Sequence, residues 1–401
     1  MTKDRLLKQM QLLKPDDLAE KLARVRRNME QAGLKSLLLG DNANKFYLTG
    51  RIFDGYIYLS PKGETVYLVR RPSVLEGSGV YRIRKPEEIP GVLEQCHIAM
   101  PESLGLELIQ QPYCVVERLA KAMHADSFGN ADAVLLASRA VKTAAEIQLI
   151  ADCGVRHERI YRRIPELYRE GMDDVELQIE IERLTRLEGG LGIIRVVGHD
   201  MEINMGSVLA GNNADTPSPY DFALGGAGTS PALPVGADGT VLRPGMTVMV
   251  DTNGDFNGYM TDMTRTFAVG QICDRAVELH DLSRRICRRL QEMARPGTPC
   301  SDLYETAMEM VRQAGAEDLF MGHRSQAAFI GHGVGIALNG MPVISPKNNK
   351  PLEAGNVIAL EPKFVIENVG AVGIENTYAV TADGPMRCLT NAPEELVTLE
   401  P

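Results

Sequence analysis

In the first third of the chain, the spacing of apolar residues is that of a helix in one segment and that of strands in several others. Between Asp16 and Ala32 they recur at helical spacing, which predicts one helix. Short apolar runs bounded by turn residues predict strands at 36–39, 56–59, 65–69 and 132–136. Helices and strands in this order are typical of an α/β domain, and we place its end near residue 137.

After residue 137, segments with helical spacing of apolar residues are interspersed with segments that have strand spacing. Helical patterns cover 144–169, 173–187, 275–294 and 301–314. Strand patterns cover 193–197, 247–251, 264–269, 357–360 and 377–380. The order favours an α+β domain with antiparallel sheet. The sequence therefore predicts two domains, an α/β domain at 1–136 and an α+β domain at 137–401.

Composition narrows the class of protein. The 401 residues are 44% hydrophobic and 24% charged, as in a globular protein, and the net charge of -10 argues against nucleic acid as a partner. The seven cysteines include no C-x-x-C pair, which favours reduced thiols. We expect no membrane span and no secretory signal, because no apolar run approaches the roughly 20 residues of a span and Met1 to Leu13 has no apolar core. These features together favour a cytoplasmic protein.

Two carboxylates frame a predicted hairpin. Asp251 ends an apolar strand pattern, Gly254 and Gly258 permit a turn, and Asp262 lies on the returning segment. If the segments pair, we expect Asp251 and Asp262 to face each other. Carboxylates that close repel one another, so one takes up a proton or a cation lies between them. Taken alone, the pair is explained equally well as two solvated turn residues.

Three further positions carry polar chemistry in apolar surroundings. His332 lies in Gly331-His332-Gly333, Glu361 ends an apolar strand pattern, and Glu375 follows Ile374. Each has an ordinary explanation by itself, a structural histidine or a carboxylate that reaches solvent at a strand end. Charged groups seldom lie inside such strands unless they are paired or bound to metal. Together, four carboxylates and an imidazole suit Mn, Fe, Co or Zn.

These stretches, read in the order Asp, Asp, His, Glu, Glu, resemble the pita-bread metallopeptidases, which include methionine aminopeptidase, aminopeptidase P, prolidase and creatinase. The resemblance covers about residues 140 to 395, and the region before it resembles the N-terminal domain of the prolidase and creatinase branch. It implies an α/β creatinase-like domain followed by an α+β pita-bread catalytic domain. It also implies two divalent metal ions (Mn, Co, Zn or Fe) held by a set of five ligands, Asp251, Asp262, His332, Glu361 and Glu375.

The resemblance also assigns roles. Asp262 and Glu375 would bridge both ions, Asp251 would complete one site, and His332 with Glu361 the other. Metal-activated water would then attack an amide, with Glu361 accepting its proton. The implied activity is cleavage of a C–N bond in a small peptide, as an Xaa-Pro aminopeptidase or dipeptidase does. The relatives are commonly dimers, so we expect a homodimer.

The chain departs from the Xaa-Pro-cleaving members around this ligand set. Ser218, Ala328 and Asn339 stand where histidines or a His-Glu pair are usual. Gly373 replaces an arginine, and Lys363 follows Glu361-Pro362 where glycine is expected. His323 is the best remaining imidazole for a catalytic role, although a histidine there is also typical of a surface. Asn339 could donate a hydrogen bond to the substrate.

Two other functions remain open on this sequence. One is a metalloenzyme of the same fold acting on a non-peptide substrate, either another small amide or by elimination as a lyase. The other is an inactive module that binds a peptide or protein, against which the retention of all five ligands argues. We expect neither a nucleic-acid nor a membrane partner.

Overall fold

A computed structural model describes residues 14–61, 63, 65–125, 127–199 and 201–400. The described residues divide into two compact units, the first made of those up to 139 together with 197–199, and the second of those in 140–196 and 201–400. Across the described ranges, no helix is both long and apolar enough to cross a membrane. The predicted domain boundary, between 136 and 137, stays a prediction.

The first unit is built on a six-stranded mixed sheet in the order β4-β3-β2-β1-β5-β6. Strand β1 pairs antiparallel with β2 and parallel with β5, so it lies at the centre. Its strands are β1 (Leu37–Leu39), β2 (Asp54–Leu59), β3 (Thr65–Arg71), β4 (Val80–Arg82), β5 (Leu104–Leu106) and β6 (Phe128–Asn130). Its helices are α1 (Pro15–Gln31), α2 (Asn42–Thr49), α3 (Ile89–Gln95), α4 (Tyr113–Ala122) and α5 (Asp132–Ala140).

The predicted strand at 132–136 is wrong, because these residues belong to helix α5. A short apolar run does not distinguish a buried strand from a helix. The alanines and leucines of this run favour helix, and the Asn130 side chain accepts a hydrogen bond from the Asp132 N–H at its start. The predicted helix at 16–32 and the strands at 36–39, 56–59 and 65–69 are confirmed within a few residues.

The second unit holds three sheets. One has the order β17-β9-β8-β7, another β11-β10-β12-β15-β16, and β13 pairs with β14. Its strands are β7 (Gly206–Ala210), β8 (Thr247–Asp255), β9 (Met260–Val269), β10 (Gly331–Gly333), β11 (Gly340–Ile344), β12 (Val357–Leu360), β13 (Lys363–Ile366), β14 (Gly370–Gly373), β15 (Asn376–Ala379), β16 (Arg387–Cys388) and β17 (Val397–Leu399). Its helices are α6 (Ala144–Arg163), α7 (Asp174–Leu187), α8 (Asp274–Met293) and α9 (Cys300–Gln313).

Helices cover these sheets through apolar faces. Helix α6 begins with a capping box in which Thr143 and Glu146 bond each other's backbone N–H groups, and it ends just before Pro165, which cannot continue an α-helix. Its buried residues pack on β8 and β9, while α8 and α9 pack with β12 and β14 in a separate core cluster. The sheets are thereby held as a rigid frame for the side chains at their strand ends.

The predicted strand at 193–197 is also wrong. The segment is irregular, and its backbone carbonyls are bonded individually rather than by a neighbouring strand. The Asn253 amide donates to the Ile193 carbonyl, and the Leu338 N–H donates to the Arg195 carbonyl. The remaining strands and helices predicted after residue 137 are confirmed with shifted ends.

Candidate metal centre

Asp251 and Asp262 come from the hairpin of β8 and β9, as the sequence indicates, but they do not lie directly opposite. Asp251 pairs with Thr264, and Asp262 pairs with Asn253. The two carboxylates are therefore offset by two residues on one face of the hairpin, because side chains alternate with a period of two. The expectation of a facing pair is corrected to a diagonal one.

The other three predicted ligands come from the second sheet and its connections. His332 lies in β10, Glu361 directly follows β12, and Glu375 directly precedes β15. A backbone bridge between Thr264 and Glu375 joins the two sheets at this point. Arg265 strengthens the junction, because its buried guanidinium donates to the Thr264 and Glu375 carbonyls at 2.7 and 2.8 Å. Arg265 is thus a positioning residue for Glu375 whose role the sequence alone did not indicate.

The structure brings all five predicted ligands around one cavity of about 210 Å³. Ligand atoms of Asp262, His332 and Glu375 lie within 4.8 Å of one another, and so do those of Asp251, Glu361 and Glu375. The His332 Nε2 lies 3.6 Å from Asp262 Oδ2 and 3.4 Å from Glu361 Oε1. The arrangement forms two neighbouring oxygen-rich sets that share Glu375.

The first set fits a divalent cation. Oε1 of Glu375 is buried and has no hydrogen-bond partner within the described part of the chain, which is costly for a carboxylate oxygen unless a cation meets it. The His332 Nδ1 lies 3.4 Å from the Gly333 carbonyl, so a proton on Nδ1 leaves Nε2 with a lone pair directed at the carboxylates. Thr264 fixes the Glu375 carboxylate, since its hydroxyl donates to Oε2 at 2.8 Å.

The second set already contains a cation, the side chain of Lys363. Its Nζ donates to Asp251 Oδ2 at 2.8 Å, to Glu361 Oε2 at 2.7 Å and to Glu375 Oε2 at 3.2 Å, and the side chain is fully buried. The sequence comparison noted Lys363 as a departure from glycine but did not place its ammonium among the ligands. The signal was present, because residues 361 and 363 of an extended segment point to the same side.

Burial and neighbouring charges shift the pKa values of Asp262, Glu375, His332 and Glu361. Burial and the Asp251 carboxylate raise the pKa of Asp262 to about 7, and burial with the Asp262 charge raises the pKa of Glu375 well above its usual range. Burial lowers the pKa of His332, but the hydrogen bond and charge of Glu361 outweigh it and raise that pKa to about 9. Burial also opposes ionisation of Glu361, yet the Lys363 and His332 charges lower its pKa to about 2. Without a metal ion, protons must neutralise part of this cluster.

The rest of the cavity is mostly apolar. Next to the ligands, it is lined by side chains such as Ile194, Met201, Phe222, Phe329 and Val343. Asp221 and Asn339 add polar groups. Among the described lining residues there is no lysine or arginine. A substrate group bound here therefore meets mostly apolar surface, the Asp221 carboxylate, and neutral polar side chains that include those of Ser207, Thr252, Asn253 and Asn339.

Three positions that the sequence singled out differ in their placement. Asn339 lines the cavity, as its predicted contact with substrate requires. His323 does not line it, because its ring is paired with the Asp215 carboxylate at 3.1 Å and is 40% exposed. The Ser218 hydroxyl donates to the Pro234 carbonyl instead. His323 is not among the described residues that line the cavity, and its catalytic role stays a prediction.

Comparison with known proteins agrees with this architecture. Residues 148–382 match the model of metallopeptidase family M24, and residues 21–141 match that of the creatinase/prolidase N-terminal domain. An Xaa-Pro dipeptidase of Pyrococcus horikoshii is 26% identical over 390 residues, which is 95% of this chain and 100% of that protein. A putative dipeptidase of Bacillus subtilis is 28% identical over 71% of this chain and 69% of its own length.

Solved structures show the same fold. An Xaa-Pro dipeptidase from Bacillus anthracis superimposes with a TM-score of 0.79 at 21% identity, covering 95% of this chain and 99% of that one. The prolidase from Pyrococcus horikoshii gives a TM-score of 0.76 at 22% identity, with coverage of 94% and 100%. The predicted fold, an α/β creatinase-like domain followed by an α+β pita-bread domain, is confirmed.

Proposed function

The chain belongs to metallopeptidase family M24, and on that premise we propose that it hydrolyses a peptide bond in small peptides, as an Xaa-Pro dipeptidase or aminopeptidase does. One observation carries the proposal: five side chains of types that bind divalent metals line a single cavity whose remaining surface is mostly apolar. The retained ligand set also favours an enzyme over an inactive binding module.

The residues have distinct proposed parts. Asp262, His332 and Glu375 would hold a divalent ion, which when bound lowers the pKa of water and polarises a substrate carbonyl. Glu361 would accept a proton from the attacking water, since its Oε1 faces the same ligands. Asn339 would donate a hydrogen bond to the substrate.

Several finer points remain proposals. The resemblance implies two ions per chain, of Mn, Co, Zn or Fe, and a homodimer. Composition favours a cytoplasmic location, and the hydrophobic pattern predicts the domain division at 136–137. A second ion would have to share Asp251, Glu361 and Glu375 with the Lys363 ammonium. Light scattering during size-exclusion chromatography tests the dimer, which a monomeric mass would contradict.

A second candidate is favoured by the lining of the cavity. A dipeptide carries a free carboxylate, and no arginine or lysine is among the described residues that line the cavity to pair with it. Asp221 would repel that carboxylate. A small amide without a free carboxylate therefore fits the same metal chemistry, whether the amide is a blocked peptide or a non-peptide compound.

The test compares matched substrates on one protein. The chain is dialysed against a chelator, reloaded separately with Mn, Co, Zn or Fe, and given Ala-Pro, Ala-Pro-amide and Ala-Pro-anilide, with products followed by mass spectrometry. Turnover that depends on metal supports the proposed peptidase, and faster turnover of the neutral amides than of Ala-Pro supports the second candidate. Turnover of none of them by a metal-loaded sample contradicts peptide hydrolysis.

A further inference from the structure

The Lys363 ammonium lies where one of the two metal-binding sets would hold its ion. The residues that could bind a second ion are Asp251, Glu361 and Glu375, and Lys363 Nζ donates to a carboxylate oxygen of each. An ammonium group has three protons to donate, and each of them has a carboxylate partner. The three carboxylates that would bind a second ion are thus the same three that accept hydrogen bonds from Lys363.

The environment of Lys363 holds the ammonium in place. Its backbone begins β13, where Lys363 pairs with Gly373, and its carbonyl accepts a hydrogen bond from the Met321 N–H. The side chain has no exposed surface, so it cannot swing into solvent to admit an ion without opening the strand. A buried cation of this kind is stable only when carboxylates surround it, as they do here.

The oxygens of Glu375 decide how many ions can bind. Oε2 accepts from the Thr264 hydroxyl at 2.8 Å and from Lys363 at 3.2 Å, so both of its lone pairs are used. Oε1 is buried and lacks a partner among the described residues. Glu375 therefore has one oxygen available for one ion and cannot bridge a pair through its second oxygen.

Glu361 is divided in the same way. Its Oε2 accepts from Lys363 at 2.7 Å, whereas its Oε1 faces the His332 Nε2 at 3.4 Å. Glu361 Oε1 is therefore available on the side of His332 and Asp262. The Glu361 oxygen that is bonded to Lys363 lies on the side of Asp251, whose own oxygen shares the same ammonium. An ion on the Asp251 side would compete with a like charge for the same oxygens.

We propose that Lys363 permanently replaces the second metal ion, so that this chain binds a single divalent ion on Asp262, His332 and Glu375, with Glu361 Oε1 beside it. The inference rests on the proposed metal-dependent function and changes the expected number of ions from two to one. Lys363 would also keep Asp251 and Glu361 in position when the metal is absent.

The experiment counts ions rather than activity. Wild-type protein and the variants Lys363→Ala, Lys363→Arg and Lys21→Ala are stripped with chelator and reloaded with Mn²⁺, and bound manganese is measured by inductively coupled plasma mass spectrometry. We expect one ion per chain in wild type and Lys363→Arg, and two in Lys363→Ala, which frees three carboxylates. Lys21 is the matched control, because it is a fully buried lysine of the first unit that donates to the Tyr47 carbonyl.

Electron paramagnetic resonance gives an independent readout. A single Mn²⁺ gives an isolated-ion spectrum, whereas two ions bridged by carboxylates in Lys363→Ala should give an exchange-coupled spectrum. Two ions in wild type would overturn the inference while leaving the proposed function intact. One ion in a folded Lys363→Ala would show that Lys363 does not exclude the second ion. No bound ion in wild type would contradict the proposed function itself. If Lys363→Ala does not fold, the wild-type and Lys363→Arg counts still decide the number of ions.

Discussion

Both compact units bury carboxylates, but they stabilise them by different means. In the first unit Glu107 accepts hydrogen bonds from the Gly40 and Asp41 N–H groups and from the Asn44 amide, at 2.6 to 2.8 Å. Asp132 likewise accepts from two backbone N–H groups. In the second unit Lys363 and His332 meet the carboxylates of the metal centre. Glu107 and Asp132 of the first unit thus meet neutral donors, whereas the clustered acids of the metal centre meet cations.

The difference separates a structural use of buried acids from a chemical one. Neutral N–H donors satisfy a carboxylate without any external group, and they tie distant segments of the first unit together. Several carboxylates clustered in one place also repel each other, and neutral N–H donors do not cancel that repulsion. A cluster of this kind requires cations, and its properties therefore depend on which cations are present.

The largest expected effect separates the two carboxylate types by activity. Asp262→Asn removes a ligand charge and should lower kcat/KM by more than the roughly 10–100-fold that loss of an outer-shell partner costs. Glu107→Gln should leave kcat/KM unchanged, because the Glu107 carboxylate is bonded to donors of the first unit and Glu107 is not among the described residues that line the cavity. Both variants are assayed with saturating Mn²⁺ and checked for folding by circular dichroism. Equal losses in the two variants would remove the distinction between the acids.

The second-largest expected effect is the loss of stability when the buried Lys363 ammonium is removed. Lys363→Met keeps most of the side-chain volume but leaves three carboxylates without their ammonium, which should cost about 3–5 kcal/mol of unfolding free energy. Lys45→Met in the first unit should cost less, about 1–3 kcal/mol, because the buried Lys45 ammonium donates to the neutral Phe53 carbonyl at 2.7 Å. Urea unfolding of metal-free protein measures both. A larger loss for Lys45→Met would contradict the account of Lys363 as the counter-charge of the centre.

Removal of the metal should act on one unit alone. An ion present at 100 times its Kd stabilises the folded state by about 2.7 kcal/mol, and chelation removes that contribution. Hydrogen exchange should then speed up in peptides from β8, β9 and β12 and remain unchanged in peptides from β1 and β5. Asp262→Asn supplies the control, since chelator should have little effect on it. Faster exchange in both units would show that the metal stabilises more than its own ligands.

The five candidate ligands are predictable from the sequence, whereas the contacts of Lys363 and His323 depend on the folded structure. Asp251, Asp262, His332, Glu361 and Glu375 stand out because a charge inside an apolar strand pattern is costly unless it is compensated. Lys363 differs from the family pattern, which by itself indicates only the loss of a glycine, although its period-two spacing from Glu361 places both side chains on one side. The residue type of His323 favours a catalytic role, but its pairing with Asp215, 108 positions away, is a tertiary contact that no local pattern reveals.

The smallest expected effect is a pH response of opposite sign in the two units. Burial and the Asp41 charge raise the pKa of Glu107 from 4.5 to about 7. Between these values the folded state binds the proton more tightly than the unfolded state, so this contribution to stability is present below pH 4.5 and is lost as pH rises through about 7. In the second unit, burial lowers the pKa of His157 from 6.5 to about 3, and its ring nitrogens contact the Thr252 and Thr261 hydroxyls. Here the unfolded state binds the proton more tightly, so stability is lost as pH falls from 6.5 towards 3.

A rise from about pH 5 to about pH 6 should therefore destabilise the first unit through Glu107 and stabilise the second through His157. Exchange protection, corrected for the intrinsic pH dependence of exchange, is measured for β1 and β5 peptides and for β8 and β9 peptides. Glu107→Gln should remove the falling contribution from the first unit only, and His157→Gln should remove the rising contribution from the second unit only. If Glu107→Gln leaves the slope of the first unit unchanged, its three N–H donors keep the carboxylate ionised throughout this range. The N–H donors would then fully offset the effect of burial on the pKa of Glu107. Glu107 and the acids of the metal centre would in that case differ only in their partners, which are N–H groups in one case and cations in the other.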